Sequence, residues 1–232
     1  MSIKVLRPGL LTSIQDLGRY GHQQHGVIVS GAMDAYSLRI ANLLIGNEEG
    51  EAGLEITLVG PSLMFEQDTL LAITGGDLSP AIDGVPVPMW RPVYVKEGSM
   101  LQFGAVKSGC RAYVTVAGGF NIPEVMGSKS TYLRAGIGGY QGRALQEGDV
   151  LHMQTPPEQS VRVMQALGID SGFGPFVSTS WFAERGYFPH GPGHVPIRVI
   201  RGNQFEQFDQ KSRQHFFEQP FQVTTQSDRM GY

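Results

Sequence analysis

The residue types that could most readily do chemistry are concentrated in one stretch, residues 126–145, which reads MGSKSTYLRAGIGGYQGRAL and contains five glycines and two arginines. Glycine lets the backbone adopt positive φ and lets another group approach its N–H donors closely. Successive free N–H groups and guanidinium forks suit a carboxylate or a phosphate. The stretch therefore predicts an anion-recognition loop. A glycine-rich β-connection with solvated arginines is the alternative that composition leaves open.

Within this stretch, the residues Gly127-Ser128-Lys129-Ser130 are similar to part of a phosphate-binding loop of the Walker type. The spacing does not match. In that motif the lysine directly follows a glycine, which another glycine precedes at a fixed spacing, whereas here Ser128 directly precedes Lys129. The surrounding sequence also lacks the helix whose N-terminus would hold the phosphate. We therefore exclude a Walker-type ATPase.

The histidines and the cysteine offer a second set of reactive side chains. The pairs His22/His25 and His190/His194 could each give two imidazoles to a metal, but neither pair has a third ligand at a recognisable spacing. We expect surface or hydrogen-bonded histidines instead. The single cysteine, Cys110, begins a strand pattern, so we expect a small buried thiol rather than a nucleophile, and an internal disulfide is excluded.

One helix is predicted in the first fifty residues. Asp34 is placed to cap it, and apolar residues then recur at helical spacing at Leu38, Ala41, Leu44 and Ile45. An alternative role for Asp34 is that of a carboxylate placed at the mouth of a site.

The remainder of the composition favours short strands. The chain has 31 glycines and 14 prolines, and only 17% of its residues are charged. A net charge of −3 without a basic stripe argues against a nucleic-acid binder. The apolar runs are too short to span a bilayer, and the N-terminus lacks the apolar region of a signal peptide, so we expect a cytoplasmic protein.

From residue 54 onward the apolar pattern has a period of two, with turn signals about every ten residues, which is typical of a β-barrel or sandwich. The predicted strands are 3–6, 54–58, 63–65, 70–74, 93–95, 101–103, 111–117, 195–201 and 221–225, with an extended piece within 10–18, a hairpin at 81–86, a transition segment at 154–174 and a short helix within 205–217. In the segment 86–90, which could contact a partner, we expect Trp90 to pack in the core.

Several of these motifs, taken in order, resemble one family. They are the segments 6–19, 26–34, 41–47, 54–61, 118–119, 127–131, 138–143 and 227–232, which include LRPGLLTSIQDLGR, GSKST, GGYQGR and the terminal SDRMGY. The sequence is identified as a member of the 5-oxoprolinase C-subunit family, also called KipA-like, allophanate hydrolase subunit 2-like or biotin-dependent carboxyltransferase-like. The resemblance implies a mainly β fold of two cyclophilin-like β-barrel halves with one or two short helices. We expect an N-terminal domain at 1–155 and a second, related β domain at 156–232, truncated because family members normally continue beyond the SDRMGY motif.

The resemblance also implies a function. Such a protein would act with a KipI-like B subunit, together with an A subunit, in an ATP-dependent enzyme that opens the lactam of 5-oxo-L-proline to L-glutamate through carbonyl phosphorylation. ATP and Mg²⁺ are the expected cofactors, neither of them tightly bound. The site residues expected on this basis are Asp34, Arg143 and Asp228 for catalysis and Asn42, Ser128, Ser130, Arg134, Gly138, Gly139, Ser227 and Arg229 for binding of substrate or nucleotide.

Three alternatives remain open at this point. The first is a carboxyltransferase module that moves CO₂ from carboxybiotin to urea or a related amide. The second is a non-catalytic antagonist of a KipI-like kinase inhibitor. The third is a generic β-barrel binding module.

Overall fold

A computed structural model describes residues 2–169, 174–185 and 197–222. The chain divides into two compact units, Met1–Gly186 and Tyr187–Tyr232. No helix within the described ranges is long and apolar enough to cross a membrane.

The first unit is built mainly from short antiparallel strands, as the sequence predicts. In chain order the strands are β1 (Ser2–Arg7), β2 (Leu11–Gln15), β3 (Gly53–Thr57), β4 (Ser62–Phe65), β5 (Thr69–Asp77), β6 (Ala81–Ile82), β7 (Val85–Pro86), β8 (Pro92–Val95), β9 (Met100–Gln102), β10 (Ser108–Val116), β11 (Val150–His152) and β12 (Phe176–Ser178). They form one six-stranded sheet in the order β11-β1-β4-β9-β6-β7 and another in the order β12-β8-β5-β10-β3-β2. The mainly β fold class is confirmed.

The hydrophobic core lies between the two sheets. On β5, Leu71 and Ile73 point into it, where they join side chains from the opposite sheet such as Val5 and Phe65. The alternate residues of β5, Leu70 and Ala72, are equally buried but belong to a second apolar cluster. Burial of both faces explains why this strand is a continuous apolar run in the sequence.

Two helices, α1 (Ala35–Leu44) and α2 (Glu158–Ile169), supply that second cluster on the outer face of β5. The first is the predicted helix, whereas the second falls in the segment expected to be a transition. Its sequence contains apolar residues at helical spacing, Val163, Met164 and Leu167, which pack in the cluster. The two prolines of that segment, Pro156 and Pro157, stand just before the first residue of α2, where proline is compatible with a helix start.

The second unit contains a 3₁₀ turn, Phe205–Gln207, and helix α3 (Gln210–Glu218), which confirms the helical prediction. Two phenylalanines of this unit, Phe208 and Phe217, are 58% and 65% exposed. The predicted strand at 195–201 is wrong over its described part, because residues 197–201 form no strand. Of the last predicted strand, 221–225, residues 221 and 222 form no strand and the others lie outside the described residues.

Two predictions about single residues have clear outcomes. Trp90 is 2% exposed and packs in the first unit, which confirms its assignment to the core. Cys110 is exposed, so the prediction of a buried thiol is wrong. It lies at the outer end of β10, where the register against β5 shifts between Ser108 and Ala112 and the strand leaves the core.

The division into domains at residue 155 stays a prediction. Both α2 and β12, which follow that residue, belong to the first compact unit, since β12 pairs with β8 and α2 packs on the apolar cluster beside β5.

Candidate functional site

Asp16, directly after β2, organises the first part of the glycine-rich loop. Its Oδ1 accepts hydrogen bonds from the amide of Gly18 at 2.7 Å and from the hydroxyls of Ser128 at 2.8 Å and Ser130 at 2.5 Å. Its Oδ2 accepts from the amide of Lys129 at 2.6 Å. A single carboxylate therefore fixes three successive loop residues, and the two serine hydroxyls predicted to bind a ligand are used within the protein.

Arg19 supports the same loop from beneath. Its side chain is completely buried; Nη2 donates to the carbonyl of Ser130 at 2.6 Å and Nε donates to the carbonyl of Val125 at 3.3 Å. The third nitrogen, Nη1, is buried and has no hydrogen-bond partner within the described residues. Burial lowers the pKa of Arg19, and the nearby Asp16 opposes that shift.

The glycines of the loop allow it to lie against this support. Gly138 has φ of +69°, and a Cβ there would come within 2.1 Å of the Ser130 carbonyl oxygen and 2.5 Å of Arg19 Nη2. Gly139 has φ of +54°, and a Cβ there would lie 1.9 Å from Thr131 Oγ1. Both positions require glycine, because the backbone has positive φ and because a side chain would collide with neighbouring atoms. The structure thus brings Gly138 and Gly139 together with Ser130.

Lys129 and Asn42 are connected through Glu51. The Lys129 ammonium lies 2.6 Å from Glu51 Oε1, with both side chains largely buried. Asn42, itself buried near the end of α1, donates from Nδ2 to the backbone carbonyl of Glu51 at 2.6 Å. Its Oδ1 accepts from Asn47. The Asn42 amide therefore supports the residue that holds Lys129.

Arg143 forms a bidentate ion pair with Asp149, with Nη1–Oδ2 and Nη2–Oδ1 distances of 2.7 and 2.8 Å. Its guanidinium also lies over the ring of Tyr140, 5.3 Å from the centroid. The hydrogen bonds from Arg143 lower the pKa of Asp149. The Asp149 carbonyl accepts from the amide of Val5, so this pair is anchored on β1. Arg134, by contrast, is exposed near the tip of the loop.

This ion pair predicts a pH-dependent stability. Because the folded-state pKa of Asp149 is lowered, its contribution is fully present above the unfolded value of about 3.9 and is lost as pH falls through the folded pKa. We expect Asp149→Asn to reduce the free energy of unfolding at pH 7 by about 1–3 kcal/mol. Denaturant titrations of both proteins between neutral and acidic pH should show this difference shrinking below about pH 4. A difference independent of pH would contradict the assignment.

Asp34 is confirmed as the cap of α1, because its side chain accepts from the amide of Ser37 at 3.0 Å. Its own amide donates to Tyr113 Oη at 2.8 Å, and that hydroxyl donates to Glu55 Oε2 at 2.8 Å. Burial raises the pKa of Tyr113, so its phenol stays protonated. The Asp34 carboxylate is therefore rigidly held, with both oxygens bonded to Ser37.

The predicted site residues thus fall into separate places. The glycine-rich loop gathers Ser128, Ser130, Gly138 and Gly139, whereas Asp34 and Asn42 lie towards opposite ends of α1. Ser227, Asp228, Arg229, His190 and His194 lie outside the described residues. The roles assigned to all of these residues stay predictions.

Asp16 and Arg19 are not among the site residues predicted from the sequence. The signal was present in the run Asp16-Leu17-Gly18-Arg19 directly after a strand, because an aspartate two residues before a glycine is typical of a turn closed by its own carboxylate. What no local pattern indicates is that the other acceptor sites of this carboxylate serve residues more than a hundred positions later.

The binding of Mg²⁺ and ATP by this chain stays a prediction. The described ranges contain no group of three or more Asp, Glu, His or Cys side chains that could hold a metal. Lys129, the loop residue most suited to a phosphate, is paired with Glu51 at 2.6 Å. We therefore assign no reaction step to either group in this part of the chain.

The sequence and the fold are both similar to those of known proteins. The family model described as carboxyltransferase domain, subdomain A and B, matches residues 25–232. The chain belongs to this carboxyltransferase domain family. It is 38% identical to the C subunit of 5-oxoprolinase from Escherichia coli over 231 residues, which covers 99% of this chain and 67% of that protein. The resemblance to the 5-oxoprolinase C-subunit family is therefore confirmed.

The family also includes parts of much larger proteins. The chain is 38% identical to the urea amidolyase of Saccharomyces cerevisiae over 233 residues, and it spans only 12% of that protein. A crystal structure of the K. lactis urea amidolyase superimposes with a TM-score of 0.74 and 33% identity, covering 98% of this chain and 13% of that one. The carboxyltransferase family therefore includes relatives whose names indicate two different reactions.

Proposed function

We propose that this chain acts as the C subunit of a 5-oxoprolinase, which opens the lactam of 5-oxo-L-proline to L-glutamate at the expense of ATP. The observation that carries the proposal is the match to the C subunit of E. coli 5-oxoprolinase along 99% of the chain at 38% identity. The match to the corresponding protein of Haemophilus influenzae adds support, with 34% identity over 95% of the chain. The partners we propose are the KipI-like B subunit, together with the A subunit, of the same enzyme.

The chemistry explains why a site of this composition would be needed. Amide resonance makes a five-membered lactam a poor electrophile, and phosphorylation of its carbonyl oxygen creates a species that water can attack. The substrate also carries a carboxylate, which must be recognised while water is excluded from the activated carbonyl. Beneath the glycine-rich loop, the Arg19 guanidinium keeps one nitrogen, Nη1, whose N–H donors are of the kind that bind carboxylates.

A second candidate function is carboxyl transfer to urea or a related amide. The similarity to the urea amidolyases of S. cerevisiae and K. lactis favours it, because the sequence identity to the S. cerevisiae protein equals that to the C subunit of E. coli 5-oxoprolinase. Such a reaction would require carboxybiotin delivered by other domains or proteins. It too would need a site that recognises a carboxylate, so the loop geometry does not discriminate between the two candidates.

The test is reconstitution of the complex. The chain is co-expressed with its KipI-like partner and the third protein of the enzyme, and release of phosphate and of glutamate is measured with and without 5-oxo-L-proline. We expect both products to depend on the lactam and on the presence of all three subunits. Absence of lactam-dependent ATP hydrolysis, together with transfer of the carboxyl group from carboxybiotin to a nitrogen of added urea, with release of free biotin, would overturn the proposal in favour of carboxyl transfer.

A further inference from the structure

The buried guanidinium of Arg19 has an unused donor. Two of its nitrogens donate to the carbonyls of Ser130 and Val125, but Nη1, which is also buried, has no acceptor among the described residues. No carboxylate of the described chain forms an ion pair with it. The nearby carboxylate of Asp16 instead accepts from residues of its own turn and of the loop. A buried charge with an unsatisfied donor is costly, and such a donor in a folded protein generally has an acceptor when a ligand, an ion or water is bound.

The part of the loop over Arg19, residues 132–138, is closed by its own turns. The amide of Gly136 donates to the carbonyl of Tyr132 at 3.0 Å, and the amide of Tyr132 donates to the carbonyl of Ile137 at 2.8 Å. The residues that follow are fixed, because Gly139 is buried and donates to the carbonyl of Lys129 at 2.9 Å, and Tyr140 packs against the core. A segment that closes on itself in this way can lift as a unit with little loss of its internal hydrogen bonds.

The free Nη1 of the Arg19 guanidinium indicates which chemical class of ligand it would bind. A guanidinium group already oriented by two fixed carbonyls binds an oxygen anion with little entropic cost, and a planar carboxylate matches it better than a neutral group does. The close approach of Gly138 to Nη2 places loop backbone beside the same guanidinium. Lifting the loop would therefore give a carboxylate access to Nη1, and closure would then enclose it.

We propose that Arg19, through Nη1, binds the carboxylate of the small-molecule substrate, and that residues 132–138 form the flap that closes over it. This inference rests on the proposed function for the identity of the substrate, but not for the existence of the anion site. It places carboxylate recognition on a residue buried beneath the loop rather than on the loop's own arginines, Arg134 and Arg143.

The experiment compares two lactams that differ in one group. Binding of 5-oxo-L-proline and of 2-pyrrolidinone, which lacks the carboxylate, is measured by calorimetry on the full chain and on Arg19→Met, Arg19→Lys and the control Arg162→Met. Arg162 is an exposed arginine on α2, with 74% of its side chain accessible. We expect Arg19→Met to weaken binding of 5-oxo-L-proline by about tenfold or more while leaving 2-pyrrolidinone unaffected, as loss of a charge-assisted hydrogen bond predicts. Arg19→Lys should recover part of the loss and Arg162→Met should show none.

Acetate provides a probe that does not depend on the lactam. If acetate raises the thermal unfolding midpoint of the native chain and of Arg162→Met but not of Arg19→Met, the anion site stands even if 5-oxo-L-proline does not bind, and only the proposed function fails. If Arg19→Met retains the preference for the lactam that has a carboxylate, or if acetate stabilises it as much as the native chain, the inference is wrong whichever reaction the complex performs.

Circular dichroism of each variant shows whether the variant is folded. Should Arg19→Met fail to fold, Arg19→Lys, which keeps the charge but loses the guanidinium geometry, decides the question instead. A weaker response of folded Arg19→Lys to acetate would support the inference, and a response equal to that of the native chain would contradict it.

Discussion

Replacing Gly138 by alanine is expected to destabilise the protein by about 3–5 kcal/mol, because the new Cβ would meet both backbone and a buried guanidinium. That Cβ would lie 2.1 Å from Ser130 O and 2.5 Å from Arg19 Nη2, too close for either group to accommodate without moving. Part of the cost arises from φ of +69°, which alanine disfavours. Chemical denaturation of the purified variant gives the change in free energy directly.

The same loop supplies a matched control. Gly136 has φ of +65°, nearly that of Gly138, but a Cβ there would meet nothing within 4 Å. We therefore expect Gly136→Ala to cost only about 1–2 kcal/mol, the penalty of positive φ alone. Equal costs for the two substitutions would show that Gly138 is not packed against Arg19, which would contradict the described support of the loop.

The second large effect is expected from Asp16→Asn, which removes the charge that accepts four hydrogen bonds. We expect a loss of about 2–4 kcal/mol, since bonds to a charged acceptor are strong and an amide nitrogen at either position would oppose an existing donor. The loop should be released first, because Ser128, Lys129 and Ser130 are all attached to this carboxylate. Limited trypsin digestion should then cut the variant rapidly after the exposed Arg134, at trypsin concentrations that leave this bond of the native chain intact.

A charge control separates this effect from a change in net charge. Glu147 is exposed, and Glu147→Gln removes the same charge without touching the loop. We expect its unfolding free energy and its tryptic pattern to match those of the native chain. If Asp16→Asn behaved like Glu147→Gln, the hydrogen bonds to Asp16 would not be what holds the loop.

The sequence predicted those parts of the fold that depend on local pattern. Strand β10 alternates apolar and polar residues, and Asp34 caps α1, because period and capping are encoded within a few residues. Helix α2 was not predicted, because the prolines just before its start and the glycines in and after its last turn indicated a transition segment. Cys110 was misplaced because a register shift in β10, which depends on the partner strand, carries its end away from the core.

The site could be predicted less fully, for a physical reason. Residue types in the loop indicated anion recognition, but which donors are used depends on acceptors far away in the chain. Arg143 illustrates this point, because its guanidinium is paired with Asp149. Arg19 shows the opposite case, a residue that the sequence does not single out but that the structure makes important. In the sequence it is one basic residue after a turn, whereas in the structure it is fully buried beneath the loop. Pairing and burial of this kind arise only from tertiary contacts.

Hydrogen–deuterium exchange of the reconstituted complex of all three subunits, with and without saturating 5-oxo-L-proline, tests the central claim most directly. The claim is that a small carboxylate ligand is enclosed by the glycine-rich loop of this chain. We predict that the lactam slows exchange in peptides covering residues 128–142, and that 2-pyrrolidinone does so far less. Lactam-dependent turnover with unchanged exchange in residues 128–142, and protection elsewhere in the complex, would contradict it.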